Sequence, residues 1–448
     1  MSKPKNIIFI VADSLRYDSM TSQGISLPYT EANATFFRNA RSSGCWTLPS
    51  NASIFTGTLP HVHGATSQTR ELNPDLPTLG EKLQEDGYST YQVTANIATT
   101  DVFGLDRGFD KVYPIWQDVP AKFQRLQQFL LLVGKPRLRN KIFSRDFVNQ
   151  KLSQDLEMAK TWLQNTYLDI FDKARKILRE NRDKGQSSFL YLNLMETHFP
   201  YHVAPTFNTS TEGIVNSIRE VYSLFHFINQ SFLKTDKNHI KDDMMSTLLE
   251  RQRISWELIR EDLDNFIREL HENEDNLVIF CSDHGDNFGD QHWIYHFSNV
   301  TDGGNRVPIF WLDHENSHQK NIDAPVSARH LYDSILDSCD LNHEGPSLIR
   351  EPEASVPVLQ SYWYNNKGKT LPKFKYNQFC FVENGMRYAL RNNDWMMAPV
   401  GENGKEPEFQ QLDQNVDPVE EFVEDQDKKA YLRKNVTDFH SFSASLLD

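Results

Sequence analysis

The sequence predicts an α/β fold: a central mixed, mainly parallel sheet between helices, followed by a small C-terminal α+β subdomain. Three observations carry this. Short β-rich runs alternate with helical ones through the N-terminal third, the pattern that βαβ units leave in a sequence. Apolar runs such as "NIIFIVA" and "NLVIF" have no polar alternation, so both faces of those strands must be buried. After about residue 350 the pattern changes to short strands punctuated by turn residues, as in "MRYALRNNDWMMAPV".

Taken in chain order, "NIIFIVA" at Asn6–Ala12 is the first strand and ends at Asp13. "LPTLGEKLQEDG" reads as a helix closed by Gly87, and "YSTYQVTA" as the next strand. Residues 120–185 are polar and helix-prone, as in "DIFDKARKILRENRDKG". "SSFLYLNLM" is a further strand that runs straight into "ETHFPY". From Thr247 to Glu272, Leu248, Ile254, Leu258, Leu263, Ile267 and Leu270 recur near a helical period. "NLVIF" then leads into "CSDHGDNFGDQH". The expected organisation is a catalytic unit over residues 1–350, with helical insertions at about 115–185 and 205–245, and a subdomain over 351–448 with a small antiparallel sheet.

Composition narrows the function. A net charge of −14 argues against a nucleic-acid polymer as partner, because its backbone needs a basic surface. A small anionic ester is compatible if the site supplies local positive charge, and a metal ion is the evident source. The longest apolar patch, Phe129–Val133, is far below the roughly 20 residues of a membrane span. The N-terminal apolar run is too short for a signal peptide, so a cytoplasmic location is the default expectation. Cys45, Cys281, Cys339 and Cys380 lack paired spacing and are expected to be reduced thiols. A homo-oligomer is compatible with all of this.

Polar groups at the carboxyl ends of parallel strands are where α/β enzymes place their sites. Asp13, His198 and Asp283-His284 all fall there. Either aspartate alone reads more readily as a helix cap than as a metal ligand. Two carboxylates and an imidazole at one sheet edge, with His292 and His296 close behind, read instead as a divalent-metal site.

The ordered segments "IIFIVADSLRYD", "TLPSNASIFTGTLPHVHG", "ETHFPY", "VIFCSDHGDNFGDQH", "NRVPIF" and "FQQLDQNVDPVEEF" resemble the sulfatase-like branch of the alkaline phosphatase superfamily. That resemblance implies the α/β sheet above with a smaller C-terminal sheet. It also implies a nucleophile, which sulfatases place at the head of a Cys/Ser-x-Pro-Ser-Arg signature and oxidise to formylglycine. Aligning Pro49-Ser50 with that signature puts Thr47, not Cys45, at the nucleophile position. Threonine cannot become formylglycine. Asn51 replaces the signature arginine, Ser14 a metal-ligating aspartate, and "TANI" around Asn96 a Gly-Lys-Trp-His segment.

Threonine nucleophiles characterise superfamily relatives that act on phosphate. The resemblance therefore implies Asp13, Thr47, Asp283 and His284 around one divalent ion, Mn2+ or Zn2+ before Ca2+ or Mg2+, with a second metal left open. It implies catalytic roles for Thr47, His198 and His296, the last where relatives often carry a lysine. Asn96, Asn51, His292 and Arg16 are then expected to line the substrate pocket, although Arg16 could equally pair with Asp18. The expected activity is hydrolysis of a phosphodiester or phosphonate monoester through a phosphothreonine. Sulfate-ester hydrolysis, transfer of the group to a glycan or lipid, and a non-catalytic binding role are the alternatives.

Overall fold

The computed structural model describes residues 3–21, 26–66, 70–115, 166–199, 201, 242–273, 275–290, 294–296, 301–314, 320–350, 360–362, 378–383, 386–391, 394–399 and 421–432. Most of the two expected insertions, and His292, lie outside them.

Eight strands form the central sheet: β1 (Asn6–Ala12), β2 (Thr35–Phe37), β3 (Ser89–Thr94), β4 (Lys111–Pro114), β5 (Ser188–Leu194), β6 (Asn276–Cys281), β7 (Ile309–Leu312) and β8 (Lys320–Ile322). Their order is β8-β2-β7-β6-β1-β5-β3-β4. The pairs from β6 to β4 are all parallel, and β7 runs antiparallel to both its neighbours. The sheet is thus mixed and mainly parallel, as the unbroken apolar runs require.

β1 sits in the middle with all of Ile7–Ala12 fully buried. Because side chains alternate across a strand, Ile7, Phe9 and Val11 enter one core and Ile8, Ile10 and Ala12 the other. The first core is closed by α1 (Thr47–Thr56), α2 (Leu79–Glu85) and α5 (Leu331–Ser338). The second is closed by α3 (Thr166–Asp183) and α4 (Asp242–His271), through Phe171, Trp256, Leu263 and Phe266. Truncating a ring such as Phe9 to alanine would cost roughly 3–5 kcal/mol. α2 starts where the sequence signals it, with Thr78 and Glu81 forming a reciprocal capping box.

A second sheet, antiparallel throughout, orders Gln360–Tyr362, Gln378–Glu383, Met386–Arg391, Asp394–Pro399 and Glu421–Phe422 sequentially. Among the described residues no helix is long and apolar enough to cross a membrane.

The registers align the ends that matter. Ala12 pairs with Leu194 and Val11 with Cys281, so Asp13, the Glu196–His198 turn and Asp283-His284 emerge side by side. β3, on the far side of β5, delivers Asn96 to the same edge.

Candidate active site

Thr47 is the first residue of α1, a helix all of whose ten residues are buried. Pro49 is tolerated in its first turn, where an N–H would have no helical acceptor. Gly57 ends it with a left-handed φ of 68°. This helix aims its N-terminus, the positive end of its dipole, at the edge where β1 and β6 end.

There Thr47 Oγ1 lies 3.4 Å from Asp13 Oδ2 and 3.4 Å from His284 Nε2. His284 Nε2 is 3.7 Å from Asp13 Oδ1 and 3.7 Å from Asp283 Oδ2. Asp13, Asp283 and His284 are fully buried, and Thr47 is nearly so. Two carboxylates facing each other away from water repel unless a cation lies between them. Burial and the Asp13 charge push Asp283 well above the carboxylate range. Burial also disfavours the Asp13 carboxylate, but the imidazoles of His198, His284 and His296 and the Asn96 amide outweigh it and hold Asp13 low.

The donor set fits a divalent cation. Ligand atoms about 2.0–2.2 Å from a tetrahedral ion stand roughly 3.3–3.6 Å apart, close to the separations found here. His284 Nδ1 is tied to the Gly285 carbonyl at 2.9 Å, which turns Nε2 toward the cluster. Gly285 itself is required, since a Cβ there would meet the Gly303 carbonyl oxygen at 2.1 Å.

Around the cluster the polar residues are braced. Ser14, with a left-handed φ of 64°, directs its N–H to Asp283 Oδ1 at 3.2 Å and its hydroxyl to Asp13 Oδ1 at 3.1 Å. Asn96 Nδ2 donates to Asp13 Oδ2 at 2.7 Å and to Thr47 Oγ1 at 3.3 Å, while its Oδ1 accepts from Ala98. His198 Nδ1 meets the Phe199 carbonyl at 2.7 Å, and its ring lies 5.2 Å from that of His296. His296 lies 4.8 Å from the His284 ring. Burial, and then His284 and His198, lower the pKa of His296 well below the ordinary histidine value.

Two residues expected in the substrate pocket are elsewhere engaged. All five donors of Arg16 are occupied: Nε and Nη2 by Asp18, Nη1 by the Asp286 carbonyl, and Nη1 and Nη2 by Asp290. Arg16 is 2% exposed and acts as a clamp between two loops, its donors turned to protein acceptors. Asn51 is a strut: its Nδ2 donates to the Thr47 carbonyl and to Asp283 Oδ2, both at 2.9 Å, and its Oδ1 accepts from Tyr191 at 2.6 Å. The donors of both residues are thus engaged by protein partners, and Arg16 makes the Asp18 pair that the sequence offered as its alternative. Cys45, Cys281 and Cys339 are buried free thiols.

The sequence reading missed Tyr191, Asn193, Tyr201 and Asp286. Tyr191 and Asn193 face the site from β5, but nothing in an apolar strand marks them. Asp286 stands two residues from His284 and could have been found only by asking what orients His296.

A mainly parallel sheet carrying a buried hydroxyl, two carboxylates and imidazoles at its carboxyl edge defines a hydrolase of the alkaline phosphatase and sulfatase type. The chain belongs to the Sulfatase family, whose sequence profile matches residues 5–341. It is 22% identical to arylsulfatase K of Canis lupus familiaris over 432 residues, covering 87% of this chain and 73% of that protein. It is 21% identical to arylsulfatase K of Xenopus laevis over 495 residues, 99% and 85% of the two chains. The phosphonate monoester hydrolase of Silicibacter pomeroyi shares the fold with a TM-score of 0.59 at 16% identity, over 89% of this chain and 90% of that one. The relatives' names favour the sulfate-ester alternative over the phosphate-ester reading that the sequence put first.

Proposed function

We propose that this protein is a divalent-metal-dependent hydrolase of sulfate or phosphate esters in which Thr47 supplies the attacking oxygen. The observation that carries the reading is the position of Thr47 Oγ1, at a helix N-terminus and 3.4 Å from both Asp13 Oδ2 and His284 Nε2. A threonine hydroxyl is a weak nucleophile at neutral pH and needs such an environment. Asp13, Thr47, Asp283 and His284 would hold the cation, for which mixed carboxylate, hydroxyl and imidazole donors suit Mn2+ or Zn2+. When bound, it supplies Lewis acidity toward the ester's anionic oxygens and favours the Thr47 alkoxide.

The chain's own residues do the rest. Asn96 fixes Asp13 and Thr47 in mutual register through one amide nitrogen. Asn51 and the Ser14 and His284 N–H groups fix Asp283. Thr47 Oγ1 would form a bond to phosphorus or sulfur as the bond to the ester oxygen breaks, the alcohol leaving with the proton that Thr47 gives up. Water would later displace Thr47, releasing the acid and returning a proton to Oγ1. His198 and His296 stand beside this centre, their rings 5.2 Å apart and His296 4.8 Å from His284, and would face the oxygens of the transferred group, where charge develops.

Two substrate readings have separate support. Membership of the Sulfatase family and the arylsulfatase K relatives support sulfate esters. Thr47 supports phosphodiesters or phosphonate monoesters, because no aldehyde can form at a threonine. The test is a screen of the Mn2+- or Zn2+-loaded protein against p-nitrophenyl sulfate, p-nitrophenyl phosphate, bis-p-nitrophenyl phosphate and a phenylphosphonate monoester. Thr47→Ala should lower the best of these activities by on the order of 10³-fold or more, while Thr47→Ser keeps part of it. Peptide mass spectrometry should find Thr47 unmodified. Wild-type turnover by Thr47→Ala would overturn the nucleophile assignment.

A further inference from the structure

Gln252 lies in α4, the helix whose Trp256, Leu263 and Phe266 enter the second core, and it is fully buried. Glutamine is seldom buried completely, and an amide taken out of water must find hydrogen-bond partners. Gln252 has them at both ends of its amide. Its Nε2 donates to the Ser14 carbonyl at 2.8 Å and to the Thr197 carbonyl at 3.1 Å, and its Oε1 accepts from the Ser19 hydroxyl at 2.7 Å. Ser14, Ser19 and Thr197 are themselves at most 3% exposed. Turning the amide over would set Oε1 against both carbonyl oxygens, so this orientation is the satisfied one.

The carbonyls that Gln252 holds belong to residues that in turn hold the cation cluster. Ser14 gives its N–H to Asp283 Oδ1 and its hydroxyl to Asp13 Oδ1. The Thr197 hydroxyl donates to the Asp13 carbonyl at 2.7 Å. Asp13 is thus gripped at its side chain and at its backbone by two residues that meet on one amide. Ser14 makes its bonds from a left-handed backbone, φ 64°, a conformation that disfavours residues with a side chain and persists where the surroundings over-determine it. Ser19, in the short helix Tyr17–Thr21, secures the far end of the same loop to the same amide.

We infer that Gln252 is a positioning residue: from α4 it sets the affinity of the site for its divalent ion, by keeping Ser14 and Thr197 where they aim Asp13 and Asp283. Without the amide the Ser14 carbonyl loses that donor and the left-handed turn loses a restraint. Relaxation of Ser14 carries its N–H and hydroxyl away from the carboxylates, which then no longer converge. Partners that orient metal ligands typically contribute about 10- to 100-fold in metal affinity. This inference rests on the metal-dependent reading above.

The experiment uses full-length wild type, Gln252→Met, Ser19→Ala and Leu263→Ala. Affinity for the tighter-binding of Mn2+ and Zn2+ is measured by competition with a chelating dye, and stability by urea unfolding of the chelated protein. Methionine fills much the same space and donates nothing. Gln252→Met should weaken metal binding about 10- to 100-fold. Ser19→Ala, which frees one end of the amide, should weaken it by less. Leu263→Ala controls for simple loss of stability, since Leu263 is a fully buried core residue of the same helix. It should lower the urea midpoint and leave metal affinity within about twofold of wild type.

Wild-type affinity in Gln252→Met, or an equal loss in Leu263→Ala, would overturn the inference. If Gln252→Met does not fold, Ser19→Ala decides, and wild-type affinity there would overturn it too. Excess metal should restore most of the turnover that Gln252→Met loses on the best ester, and a loss that saturating metal leaves untouched would also refute the role. Metal binding is read without any ester. A wild type inactive on every ester, yet binding metal with an affinity that depends on Gln252, would sink the hydrolase reading and leave this one standing. A wild type that binds neither ion would overturn both.

Discussion

Replacing Asn51 tests whether the residue at the arginine position of the sulfatase signature touches substrate or braces the site. Asn51→Ala removes two donors and an acceptor. It leaves Asp283 Oδ2, in a fully buried carboxylate, without its 2.9 Å amide partner, and the buried Tyr191 hydroxyl without its 2.6 Å acceptor. A hydrogen bond to a charged group contributes about 1.5–3 kcal/mol, and a stranded buried hydroxyl costs about 1–3 kcal/mol. Allowing for relaxation, the expected loss of stability is about 3–5 kcal/mol. Urea unfolding of the metal-loaded proteins reads it directly, with an unchanged slope confirming that both unfold to the same state. Asn51→Asp should be worse than alanine, because it sets another carboxylate against Asp283. Turnover should fall through kcat, as Asp283 and the first turn of α1 lose register. Stability within about 0.5 kcal/mol of wild type, together with a raised KM, would show that Asn51 binds substrate and that the strut reading is wrong.

Two further predictions concern stability. His330 is buried, with neither ring nitrogen hydrogen-bonded to a described residue, and burial, helped by Arg329, lowers its pKa to about 3. The unfolded chain takes up a proton near pH 6.5 that the folded protein refuses, so stability falls as pH drops from about 6.5 toward 3. By pH 5 the cost is about 2 kcal/mol. His330→Met should abolish that part of the difference between urea midpoints at pH 7 and pH 5, and an unchanged difference would refute it. Chelation should lower the melting temperature, since it leaves Asp13 and Asp283 buried and mutually repelling. Metal at about 100 times its dissociation constant should restore about 2.7 kcal/mol. In Asp283→Asn the gap between metal-free and metal-loaded protein should shrink, and equal melting temperatures with and without metal in wild type would refute the cation cluster.

The fold was legible because it rests on patterns longer than any one residue. Unbroken apolar runs marked strands buried on both faces, and their polar ends marked one sheet edge. Asp13, Thr47, Asn96, His198, Asp283, His284 and His296 do converge there, because parallel strands in matched register put their carboxyl ends together. What a side chain does within the cluster was less legible. Arg16 and Asn51 have the chemistry of anion binders, and only the placement of Asp18, Asp290, Asp283 and Tyr191 shows that their donors are already engaged. Those partners lie as much as 274 residues away in the chain, and no local pattern encodes them. Asp286 was passed over for the converse reason, since only the antiparallel pairing of Asn287–Phe288 with Ile294–Tyr295 brings His296 back beside it.

The same departures bear on how the site holds an anion. The permanent cations of the sulfatase pattern are replaced by Asn51 and His296, and Arg16 is neutralised by two carboxylates of its own. Asp13, Asp283 and Asp286 set three buried carboxyl groups at the edge where, on the ester-hydrolase reading, an anionic ester would bind. Helix α1 contributes only a partial positive charge at its N-terminus, on the order of half a unit. On that reading substrate binding would depend on the divalent ion and the imidazoles. Loss of metal should therefore weaken anion binding as well as abolish turnover: an anion such as phosphate should bind the metal-loaded protein and not the chelated one. Calorimetry showing equal phosphate affinity with and without metal would place the anion's partner elsewhere in the chain.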